Sequence, residues 1–162
     1  MRIEDDGRRA VLMGRPAICL RKPERVMSQR NVEVVQRFED AFVRGDMDEV
    51  LSLLTSDVVV HEAPSLPYPG DHRGHDGFLR LAEAFNAVWE IVSDRDLTFL
   101  DAGETHVVVL VAFDVMTRST GVPLRLRLAE VYTVRDGRIA DLDVYYRDTA
   151  AIVEATGGAR VL

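Results

Sequence analysis

Cysteine is almost missing from this sequence: Cys19 is the only one, so no internal disulfide can form, which suits a reducing cytoplasm. No apolar run approaches the roughly 18 residues a membrane span needs. A charged start followed by an apolar core and a small-residue cleavage site is also absent, so secretion is not expected. Positive charge is in short supply. Lys and Arg number 20 against 27 Asp and Glu, a net of −7, which disfavours nucleic acid, whose affinity rests on basic side chains meeting phosphate. There is no Gly-rich phosphate loop and no nucleophile elbow, and the spacing of His61, His72 and His75 fits no standard metal motif. Internal repeats and low-complexity tracts are lacking. The expectation is a cytoplasmic protein with no cofactor or metal and no nucleic-acid or membrane partner.

What remains is ordinary globular material: 162 residues, 47% hydrophobic and 29% charged, fit one domain. Its charge is uneven. Residues 1–26 carry seven basic against four acidic side chains, leaving the rest at −10 within the overall −7. That acidity repels anionic substrates unless a local basic group intervenes. Residues 1–27 show neither helical nor strand periodicity and contain Pro16 and Pro23. They read as a disordered or artefactual extension, with a natural start near Met27. The domain is expected over residues 28–157, with a tail at 158–162.

From Ser28 the apolar residues Val32, Val35, Phe38, Ala41 and Phe42 recur at helical spacing until Gly45. Asp46 with Glu49 forms a capping box that opens a short second helix through Leu54. VVVHE at 58–62 reads as a strand and the proline-rich 63–74 as an irregular loop. Residues 76–92 read as a third helix, with His75 as its cap and Trp89 in its apolar stripe. Strands follow at 96–102, 106–116, 124–134 and 138–147, with hairpin turns at STG and RDG, then a short helix at 148–156. Helices followed by antiparallel strands argue an α+β domain, its helices packed on one face of a curved sheet.

HVVVLVAFDVM at 106–116 poses the main question, because a buried strand should exclude Asp114. Strand 124–134 repeats the oddity: its even positions are apolar except for Glu130. On 138–147 the even positions include Val144 and Tyr146. Each strand sets a polar group in an apolar face, the pattern of a pocket that uses an acid. The competing reading makes Asp114 an ion-pair partner of Arg125 or Arg127. His61 and Glu62 are neighbours on one strand, so only one faces inward; either could be the acid–base group.

FEDAFVRGDMDEVLSLLTSDVVVHEAP, RGHDGF and EVYTVRDGRIADLDVYY, in this order and spacing, resemble the nuclear-transport-factor-2-like superfamily, and within it the SnoaL-like polyketide cyclase group. The likeness covers about residues 29–156. It implies a cone-shaped α+β barrel, a strongly curved, mostly antiparallel sheet on three N-terminal helices, with an apolar pocket and often a homodimer through the outer sheet face. It also implies an apolar small-molecule ligand and, in some members, a cyclase or isomerase activity; others only bind. Epoxide hydrolases of the superfamily use an Arg-x-Asp pair and a second Asp; those positions here hold Ala112, Asp114 and Val144. The same overlay turns Glu62, Asp114, Glu130 and Tyr146 toward the pocket. The expected chemistry is proton transfer on an apolar carbonyl or polycyclic substrate, with Asp114 as base and Glu130 or Tyr146 donating to the developing oxyanion.

Overall fold

The structure, a computed structural model, describes residues 25–162, with side chains from Gln29 onward. Most of the expected extension at 1–27 lies outside the described residues.

Helix α1 (Arg25–Arg44) starts three residues before the expected Ser28 and stops at Gly45, whose φ of 72° lies in the left-handed region a helix exit favours. Asp46 then caps α2 (Met47–Leu53), accepting the Glu49 amide at 3.1 Å. Strand β1 (Leu54–Glu62) is longer than the expected VVVHE.

Two elements depart from the sequence reading. The proline-rich loop contains a short strand, β2 (Gly70–Arg73), paired antiparallel with β1, because its three prolines, which cannot donate, all precede Gly70. Helix α3 (Gly74–Val88) ends before Trp89, and residues 89–91 form strand β3 (Trp89–Ile91) against the end of the later strand at His106–Thr117. An apolar residue followed by β-branched Ile91 and Val92 suits a strand as well as a helix, and pairing decided it. His75 does not cap α3; Arg73 is its N-cap, without a side-chain hydrogen bond.

Strands β4 (Asp96–Asp101), β5 (His106–Thr117), β6 (Pro123–Arg135) and β7 (Arg138–Tyr146) follow, then α4 (Thr149–Ala155), capped by Asp148. Between β6 and β7, Asp136 and Gly137 both have positive φ (51° and 73°), the two-residue turn whose twist matches the strands. The sheet order is β2-β1-β7-β6-β5-β3, with β4 also on β5. All pairs are antiparallel except β1 with β7, so the sheet is mixed. It curls into a half-barrel whose concave face packs on α1 and α3, the expected cone-like α+β fold.

Candidate ligand cavity

A cavity of about 1150 Å³ lies between α1, α3 and the concave sheet face. Phe38 and Phe42 of α1, Phe78 and Leu81 of α3, and Phe113 and Leu128 of the sheet make its apolar wall. The first three phenyl rings pack together, with Phe38 edge-on to Tyr132. Exposed Asp40 and Val43 on α1 and Glu83 and Asn86 on α3 mark where it meets solvent.

One end holds four mutually bonded polar groups. Arg95 Nη1 donates to Glu39 Oε2 at 2.6 Å, and its Nη2 lies 3.5 Å from Glu130 Oε1. The Tyr132 hydroxyl lies 2.5 Å from Glu39 Oε1 and 2.9 Å from Glu130 Oε2. Tyr132 owns one proton, so two carboxylate contacts require a second proton from a carboxyl. Arg95 sits tightly on Glu39 and loosely on Glu130, which places that proton on Glu130. The electrostatics agree: burial, then the charge of Glu39, pushes Glu130 well above the ordinary carboxyl range. Burial works against the Arg95 charge, but Glu39 and Glu130 more than reverse that. The guanidinium also lies 5.4 Å from the Phe113 ring centre. The cluster is therefore near neutral and internally satisfied, apart from Arg95 Nε, which has no partner.

Glu62 presents the opposite situation. It sits on the same concave face, with Val144 of β7 between its strand and Glu130, which puts the two acids about two strand spacings, roughly 10 Å, apart. Its Oε2 is buried and has no hydrogen-bond partner. Burial pushes its carboxyl up to about 8, the nearby Tyr146 hydroxyl pulling the other way. Tyr146 is itself raised well above the usual phenol range, first by burial and then by Tyr68 and Glu62, so it keeps its proton as a donor. Behind them, Trp89 Nε1 donates to the Tyr68 hydroxyl at 3.0 Å within the core.

Of the candidates read from the sequence, Glu62, Glu130 and Tyr146 line this cavity, while Asp114 and His61 do not. Asp114 is a correction. Residues of β5 and β6 pair with an odd index sum (Phe113 with Leu126, Asp114 with Arg125), so an inward even face on β6 requires an inward odd face on β5. Asp114 accordingly points outward, its side chain 43% exposed, with both oxygens on Arg125 Nη1 at 3.0 and 3.1 Å. The ion-pair reading holds for it. His61 also faces away from the cavity, 33% exposed, bridging Asp71 at 2.7 Å and Asp141 at 3.0 Å. Burial lowers its pKa, but those carboxylates raise it further, so the net shift is upward. His72 is buried, its Nε2 on the Tyr68 carbonyl.

Three cluster members were missed. Glu39 left a signal: it falls inside the Val35–Phe38–Phe42 stripe of α1, where an acid is out of place. Tyr132 shares Glu130's face. Arg95, in the turn after β3, left none.

The sequence profile of the SnoaL-like domain matches residues 35–142, two-thirds of the chain. The chain belongs to the SnoaL-like family. Solved structures agree with this family's fold. A nuclear-transport-factor-2-like protein of Burkholderia xenovorans superposes with a TM-score of 0.72 at 27% identity, covering 79% of this chain and 96% of that one. A Xanthomonas campestris protein with the provisional label of polyketide cyclase gives 0.65 at 22%, over 80% and 98%. TerC, crystallised with polyporic acid, gives 0.65 at 23%, over 79% and 98%. Comparison with curated proteins finds no match. Among the described residues, this SnoaL-like chain has no helix long and apolar enough to cross a membrane, and no group of three or more His, Cys, Asp or Glu arranged to hold a metal.

Proposed function

We propose that this SnoaL-like protein is a cofactor-independent enzyme that moves a proton on an apolar carbonyl or polycyclic molecule held in the cavity, by isomerisation, aldol-type cyclisation or hydration. The observation that carries this is Glu62: a half-buried residue lining an apolar hollow, whose Oε2 is buried and unpaired. A carboxyl held near 8 carries its proton at neutral pH yet can release it, the condition for acid and base work at one position. The Glu62 proton would go to the carbonyl oxygen while solvent entering at the cavity mouth takes the α-hydrogen, with the Tyr146 hydroxyl as second donor; solvent then returns a proton to Glu62, and the enol takes one at carbon. Glu130 is locked in the Arg95 cluster and Asp114 is paired outside, so neither is the base in this proposal. TerC's polyporic acid is consistent with a cyclic oxygenated guest in this fold. The second reading, a binding module without turnover, draws on the self-satisfied Glu39–Arg95–Glu130–Tyr132 cluster, whose bonds serve each other first.

The test is α-hydrogen exchange of a panel of cyclic ketones and 1,3-diketones in D₂O, followed by NMR. The wild-type protein is expected to accelerate exchange, and Glu62→Gln to lose at least about 100-fold of that acceleration. An unchanged rate in the variant removes Glu62 from the role; binding with no exchange in the wild type favours the second reading.

We also propose a homodimer through the outer sheet face. Leu110, Ala129 and Tyr145 form a continuous row there across β5, β6 and β7, and Leu110 and Tyr145 are exposed. Leu110→Glu is expected to shift the sedimenting species from dimer to monomer; a wild-type monomer at 100 μM concentrations (about that order, well above usual dimer constants) rejects it.

A further inference from the structure

The charges of the cavity are asymmetric in a way that bears on which molecules enter. Among the described residues two cations, Arg44 and Arg95, line it, and each is paired with a carboxyl. Arg44 Nη2 bonds Glu49 at 2.9 Å, away from the interior. Arg95 is paired with Glu39 at 2.6 Å and Glu130 at 3.5 Å, and its Nε alone lacks a partner. Against them stand the interior acids Glu39, Glu62 and Glu130, with Asp40, Glu83 and Asp94 near the mouth.

We infer that the cavity selects uncharged ligands carrying a hydrogen-bond acceptor, which docks on Glu62, and excludes organic anions of the same shape. An anion entering would give up its water and find at most the Nε of an Arg95 already paired with two carboxyls, while meeting carboxyls on several sides. A neutral ketone loses far less on desolvation and offers its oxygen to the one interior acid with an oxygen unmatched. A cation is disfavoured for a related reason: Glu62 must first give up its proton, in a site where burial holds that proton on. The inference rests on reading the cavity as a ligand site, but not on turnover.

The test is calorimetric titration at pH 7 with three probes on one ring system: 2-acetonaphthone, 2-naphthoate and 2-naphthylmethylamine. The ketone is expected to bind at least about tenfold tighter than either charged probe. In Glu39→Gln, which frees Arg95 from its ion pair, the preference is expected to move at least about tenfold toward naphthoate. Equal or tighter binding of naphthoate or of the amine by the wild-type protein overturns the inference, as does a ketone that fails to bind. Loss of exchange catalysis without change in these preferences touches only the proposed enzymatic role.

Discussion

Replacing Arg95 by methionine is expected to destabilise the protein by about 3–5 kcal/mol, because it leaves a buried carboxylate without its counter-charge. Arg95 and Glu39 are 12% and 2% exposed, so water cannot take over the role of the lost guanidinium. For a chain of this size the melting temperature should fall by roughly 10 °C or more. The matching control is Glu130→Gln. If Glu130 already holds a proton, the amide can donate where the carboxyl did, and the cost should stay below about 1 kcal/mol. Urea unfolding of both variants measures the contrast. Equal losses would mean that the proton does not reside on Glu130, and a loss under about 1 kcal/mol for Arg95→Met would mean that the ion pair contributes little.

Stability should also fall as pH rises from about 4.5 to about 8, and part of that slope should belong to Glu62. Its folded-state pKa is raised, from the ordinary 4.5 to about 8. Within that window the folded chain holds a proton that the unfolded chain has released. The contribution is thus complete at and below the ordinary carboxyl value and is lost as pH climbs through the folded one. The slope reaches up to about 1.4 kcal/mol per pH unit, several kcal/mol across the window, and flattens above it. Glu62→Gln cannot titrate, so subtracting its profile from the wild type isolates this group from Glu130, which shifts the same way. Superimposable profiles would show that Glu62 does not hold its proton in the native state.

Much of the architecture was legible because it is written in local periodicity. The α1 stripe, the Asp46 cap, the RDG turn and the alternation on β6 each act within a few residues. The failures share one cause: each needed pairing between distant segments. Trp89 left its helix for β5, and β2 formed because β1 offered an edge. Asp114 was expected inside from the family overlay and from its place in an apolar strand, yet with the even face of β6 inward the hairpin register turns the odd face of β5 inward. An overlay on family positions inherits that error whenever its register is one residue off.

The sequence by itself determined the order of the elements, the α+β class, the family likeness and the presence of acids on the lining of a curved sheet, since these depend on spacing along the chain. Only the tertiary structure decided which acid is free. Glu39, Arg95, Glu130 and Tyr132 come from one helix, one turn and one strand, and their bonding can be read only once the sheet has curled around α1. That closure satisfies Glu130, strand register turns Asp114 and His61 outward, and Glu62 is left as the acid with a buried oxygen unmet.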